Sequence, residues 1–232
     1  METLPVYIYI VFVITLLLAL AIFYKAANNA KTFILLSLSW IAIQTAAGAS
    51  GFYTANNTAP PRFIFLILPP MLLIIALFST AKGKLFIDGL NLKLLTLFHI
   101  IRLPVELVLF WLYTSKAVPG LMTFEGRNFD ILSGITAPFI YYFGFVKQTL
   151  GKTGILVWNY ICLGLLINIV VNAVLSVPTS FQQFGFDQPN IALLYPPFNL
   201  LPAFLVPLVL FSHLVAIRRL HIKRQKQVII KN

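Results

Sequence analysis

The chain has 232 residues, a mean hydropathy of +0.91, 59% hydrophobic residues and only 10% charged ones, with a formal net charge of +11. A soluble domain of this size needs far more charge to cover its surface, so a polytopic membrane protein is the simplest class. The excess of base does not point to nucleic acid, because the basic residues lie in short clusters between apolar runs.

The apolar runs are long and unbroken rather than alternating, which predicts helices and not a closed β-barrel. Seven spans are expected, at about 5–24, 32–53, 63–80, 92–113, 130–150, 154–177 and 197–217. They form one transmembrane domain over 1–217, followed by a basic tail over 218–232. Span 1 is preceded by the uncharged METLPV and followed by lysines, which predicts a retained anchor and not a cleaved signal peptide. Span 2 ends in AAGASG, where Ala47 and Gly51 suit a small-residue packing face. The triplet Asn56-Asn57-Thr58 after it fits a glycosylation sequon. Span 3 is the shortest and contains Pro69-Pro70, so a kink is expected there.

Lysine and arginine set the threading. Lys25, Lys31, Lys82, Lys84, Lys93, Lys147, Lys152 and the tail's Arg218, Arg219, Lys223, Arg224, Lys226 and Lys231 put 13 basic residues on one side, against Arg62, Lys116 and Arg127 on the other. The richer side is cytoplasmic. This places the N-terminus outside and the C-terminus inside, in a cell (plasma) membrane.

Span 4 holds FHIIRLPVELVLF, in which His99, Arg102 and Glu106 are three and four residues apart and share one helix face. A charge at this depth costs at least a few kcal/mol, so it marks a functional site more readily than a structural stitch. An Arg102–Glu106 salt bridge within the span is feasible. Pro104 between them frees the carbonyl of Ile100. Gln44 in span 2, Tyr141 and Tyr142 in span 5, and Asn168 and Asn172 in span 6 lie at comparable depth.

The segment FEGRNFD packs Glu125, Arg127, Asn128 and Asp130 ahead of span 5. Asn128 or Asp130 suits a helix cap. The cluster also suits a roof folded onto the outer end of the span 4 site, with Glu125 or Asp130 reaching Arg102. The uncharged loop 178–197, apart from Asp187, either caps the bundle or lies on the bilayer.

The lone Cys162 excludes a disulfide framework and a thiolate metal site. No HExxH, GxSxG or P-loop occurs, and no metal site is expected. Seven N-out spans resemble rhodopsins and G-protein-coupled receptors in topology alone, and span 7 has no lysine for a retinal Schiff base. No cofactor is expected. The one alternative is haem held by His99 and His213, which fall at similar depth on spans 4 and 7; two unrelated polar residues near helix ends is the simpler account. The function expected is a membrane protein that binds or transports a small or anionic ligand, or protons. A membrane-embedded enzyme acting on a lipid, with Glu106 or Asp130 as base and His99 as acid, is the alternative. A non-catalytic scaffold subunit is a third. The expected partners are the lipid bilayer and a small-molecule or lipid ligand.

Overall fold

The computed structural model describes residues 4–55, 58 and 60–229, with side chains as far as His221. Asn56, Asn57 and Lys231 lie outside the described residues, and the side chains of Lys223, Arg224 and Lys226 are not described. The described chain is all-helical. Its helices are α1 (Val6–Ala26), α2 (Lys31–Ala49), α3 (Ile64–Ser79), α4 (Ala81–Gly89), α5 (Leu92–Phe98), α6 (Arg102–Thr114), α7 (Ile131–Tyr141), α8 (Lys152–Val174) and α9 (Val206–Ile229). A 3-10 turn over His99–Ile101 joins α5 to α6 in one rod. A π turn over Tyr142–Val146 extends α7, and another over Leu201–Leu205 precedes α9.

Among the described residues, five segments are long and apolar enough to cross a membrane: Val6–Ala26, Lys31–Ala49, Leu92–Thr114, Lys152–Val174 and Leu201–His221. α3 and α4 make a sixth only if taken together, and they are bent by 93°. Ile131–Val146 is shorter. The 16 residues of α3 rise only about 24 Å. The surface is inverted relative to a soluble protein. Large aliphatic side chains such as Ile14, Leu35, Ile75 and Ile161 point outward, while Arg102, Glu106 and His99 are buried.

Local chemistry explains where the rods bend. α3 runs unbroken through Pro69 and Pro70, and the sharp corner comes later, at Thr80. There the Thr80 hydroxyl caps α4 by accepting from Gly83 N at 3.1 Å. Gly83 also lies so close to Leu77 that a Cβ would sit 2.2 Å from its carbonyl oxygen, so only glycine permits the corner. In the α5–α6 rod, Pro104 has no N–H to offer Ile100, and the chain tightens into the 3-10 turn just before it.

In α9, Pro207 deprives the carbonyl of Ala203 of its helical donor. Trp40 of α2 supplies the replacement, its Nε1 donating to Ala203 O at 2.9 Å. α2 buries little else, only Ser37, Gln44 and Gly48. Trp40→Phe therefore strips a principal tether and orphans a carbonyl. A loss of about 1 kcal/mol is expected, read as a lower thermal midpoint in detergent; an unchanged midpoint contradicts this account.

The core is aromatic. Phe23 of α1 meets Phe98 of α5 at 5.5 Å between ring centroids, and Phe12 meets Phe198 at 5.2 Å. α1 packs along the α5–α6 rod, α7 lies against the same rod, and α9 packs on α8 and α5. The loop over 178–197 caps the bundle. Ile191 N and Ala192 N both donate to Ala117 O, Gln188 Nε2 donates to Tyr113 O at 2.9 Å, and Ala192, Leu193 and Leu194 are buried.

Candidate functional site

A column of buried polar side chains runs through the bundle where α5–α6, α7, α8 and α9 meet. Arg102 is the first residue of α6, midway along the 92–114 rod, and is 2% exposed. Its Nη1 lies 3.0 Å from Asp130 Oδ1. The angle is poor, so none of the three guanidinium nitrogens has a hydrogen-bond partner among the described residues. The pair is thus close in charge and incomplete in hydrogen bonding.

Asp130 stands at the N-cap of α7, where a carboxylate would ordinarily bond the first-turn amides. It makes no such bond and turns instead to Arg102. The role of holding the chain there falls to Asn128, whose Oδ1 accepts from Asp130 N at 3.0 Å. Asn128 Nδ2 meanwhile meets both oxygens of Glu106, at 2.6 and 2.8 Å, and Met122 O at 3.0 Å. One side chain therefore fastens the 120s loop to α6 and sets the start of α7.

The Arg102–Glu106 bridge that the spacing allows is not formed, since Arg102 pairs within 4.0 Å only with Asp130 among the described residues. The physical reason is competition: Glu106 is captured by Asn128, and Asp130 reaches the guanidinium from a different helix. Close approach of α7 makes this possible. A Cβ on Gly134 would lie 3.0 Å from Leu103 N and 3.3 Å from Arg102 Cβ. Ser133 and Cys162 are buried on the flank of the same pair. Gly134→Val is expected to push α7 off the rod and cost roughly 1–3 kcal/mol, measured by unfolding in mixed micelles; a variant as stable as the parent contradicts the close contact.

Towards the end of the bundle that carries the basic turns, His99 and His213 stack with ring centroids 3.9 Å apart and an interplanar angle of 18°. His213 Nδ1 lies 2.9 Å from Asn159 Oδ1, while Asn159 Nδ2 donates to Ile155 O at 2.9 Å. Asn159 thus presents an acceptor, which fixes the His213 proton on Nδ1 and leaves Nε2 as the free acceptor of the neutral ring. His99 Nδ1 and His213 Nε2 have no partner among the described residues. Trp158 closes the stack edge-on to His99 at 5.4 Å and donates from Nε1 to Thr136 Oγ1 at 2.8 Å. Axial ligands of one haem face each other across a macrocycle. Stacked at 3.9 Å, these rings leave no gap for one, so haem is not proposed. Among the described residues, no three of His, Cys, Asp and Glu gather as metal ligands.

The remaining sequence candidates lie elsewhere. Glu125 and Arg127 are exposed, and only Asn128 and Asp130 of the FEGRNFD segment enter the column. Gln44 is buried in a separate cluster, where Tyr53 donates its phenolic proton to Gln44 Oε1 and Asn199 Nδ2 donates to Gln44 O at 2.7 Å. Asn168 is exposed and donates to Arg127 O at 2.7 Å, while Asn172 is spent on Asn168. Tyr142 is exposed and lies under Lys147. Sequence reasoning missed Asn159, Trp158 and Ser133. A signal existed for Asn159, an amide in an apolar span like Asn168 and Asn172, but nothing in the sequence matched it to His213.

Compared with protein-family models, curated proteins and solved structures, the chain matches none.

Proposed function

We propose that this is a seven-span integral membrane protein, N-terminus outside and C-terminus cytoplasmic, that binds or transports a small ligand through a proton-labile site inside the bundle. In this reading α3 and the short 131–146 helix both cross, and α4 lies in the plane of the cytoplasmic surface. The 13-to-3 bias of basic residues supports the orientation, and the 93° corner at Thr80 supports an in-plane α4. Cysteine labelling tests it: a cysteine at position 25 is expected to react only from the cytoplasmic side and one at position 180 only from outside, and the reverse pattern contradicts the threading.

The observation that carries the reading is the buried column itself, with Arg102 incompletely bonded at its centre. One cation faces two carboxylates there, Asp130 and Glu106. With both ionised and the histidines neutral, the site bears one uncompensated negative charge in a medium where charge is costly. One bound proton restores balance. Glu106 is the group to hold it, because its partner is a neutral amide and not Arg102. A metal ion is a poorer fit, since the Glu106 oxygens already face N–H donors. Arg102 then holds an anionic group of the ligand in exchange for Asp130. His99 and His213, with free ring nitrogens on the cytoplasmic side of Arg102, relay the proton. The enzyme alternative lacks its key contact: among the described residues neither carboxylate hydrogen-bonds a histidine.

Proton movement into vesicles carrying the purified protein, driven by an imposed voltage, tests the function. Flux above empty vesicles that falls to the empty-vesicle rate in Glu106→Gln is expected. Wild-type flux equal to that of empty vesicles contradicts it.

A further inference from the structure

A second site lies outside the buried column. At the end of the bundle opposite the basic turns, the 119–127 and 183–188 segments border an open, shallow cleft of about 560 Å³, a volume within the usual range for small-molecule sites. Its walls are built rather than loose. Gln188 Nε2 donates to Tyr113 O and Val118 O, and Gln182 Nε2 donates to Phe184 O at 3.0 Å and Gly185 O at 3.2 Å. Gly185 has a positive φ of 64° and approaches Pro119 so closely that a Cβ would lie 2.9 Å from its Cβ. On the facing wall, the Arg127 backbone is pinned through Asn168.

The cleft presents one cation and one anion, Arg127 and Asp187. They share it without pairing, since no ion pair joins them within 4.0 Å among the described residues. Two opposite charges that line one cleft without pairing are complementary to a molecule carrying both signs. Aromatic rings line the cleft as well: Tyr113, Phe184 and Phe186, with the Arg127 guanidinium 5.5 Å from the Phe184 ring centre. Aromatic faces beside a carboxylate suit an alkylammonium, and a guanidinium suits a phosphate. Phe186 is 70% exposed. Tyr113, also in the cleft, is of the type enriched at headgroup level in a bilayer.

We propose that this cleft binds a zwitterion bearing a phosphate and an ammonium group, the headgroup chemistry of phosphatidylethanolamine. Arg127, set against Phe184, takes the phosphate, and Asp187 with Phe186 takes the ammonium. The proposal goes beyond the proton-labile column and shares with it only the membrane placement.

The test uses the full-length protein in maltoside detergent, titrated with dioctanoyl-phosphatidylethanolamine, dioctanoyl-phosphatidylglycerol and free phosphoethanolamine, with native mass spectrometry to count adducts. One phosphatidylethanolamine per protein is expected, weakened about fivefold by Arg127→Ala and by Asp187→Asn and unaffected by Lys116→Gln, which removes an exposed cation outside the cleft. Saturation by the lipid alone assigns a lipid headgroup, and saturation by phosphoethanolamine as well assigns a soluble zwitterion; both support the site. The proposal is overturned if phosphatidylglycerol, which lacks the ammonium, binds as tightly, if Arg127→Ala and Asp187→Asn bind as wild type does, or if neither zwitterion binds. Both substituted side chains are exposed, and helical circular dichroism matching wild type confirms that the variants are folded.

Discussion

Asp130→Ala is expected to destabilise the protein by roughly 3–5 kcal/mol, while the double variant Arg102→Leu with Asp130→Leu recovers most of that loss. The asymmetry follows from burial. The Arg102 and Asp130 side chains are 3% and 7% exposed, and they lie 3.0 Å apart. Removing the carboxylate alone leaves a guanidinium in the middle of the bundle, already without hydrogen bonds among the described residues. Glu106 cannot step in without abandoning Asn128. Replacing both members removes the desolvation cost together with the attraction. Unfolding of the three proteins in mixed micelles decides the matter. A double variant as unstable as Asp130→Ala would show that the pair's packing, and not its charge, holds the helices.

Asn128→Leu is expected to be the second most damaging change, costing about 2–3 kcal/mol. It strips Glu106 of its only donor among the described residues, frees Met122 O, and releases the backbone amide of Asp130. Because the same side chain positions Asp130, its effect and that of Asp130→Ala share a mechanism. A double-mutant cycle is expected to give coupling of about 1 kcal/mol or more. By contrast, Glu125→Gln combined with Glu106→Gln is expected to be additive, since Glu125 is exposed and outside the column. Additivity between Asn128 and Asp130 would separate the loop from the helix pair.

Much of the site's composition is legible in the sequence, and little of its pairing is. The cost of a charge among apolar residues singles out Arg102, Glu106 and His99, and all three are buried. Depth counting along two rods brings His99 and His213 to one level, and they stack. Spacing of four residues suggested Arg102 with Glu106, but spacing only makes a contact possible. The loop offered Asn128 to Glu106, and α7 offered Asp130 to Arg102. Depth also says nothing about direction around the bundle axis. Gln44 is level with the column by count, yet it faces Tyr53 and Asn199. The corner at Thr80 had a readable signal in a capping threonine three residues before Gly83. The conspicuous Pro69-Pro70, by contrast, leaves α3 unbroken. Trp40, which repairs the carbonyl left by Pro207, had no readable partner, because its contact spans 163 positions.

Infrared spectroscopy of the reconstituted protein, recorded as pH is changed, tests the central claim most directly. Wild type is expected to show one protonated-carboxyl C=O band that titrates, disappears in Glu106→Gln, and moves in frequency in Asn128→Ala because the amide touches both Glu106 oxygens. A band that persists in Glu106→Gln and vanishes in Asp130→Asn, or no titrating carboxyl at all, would contradict the assignment of Glu106 as the proton-holding group.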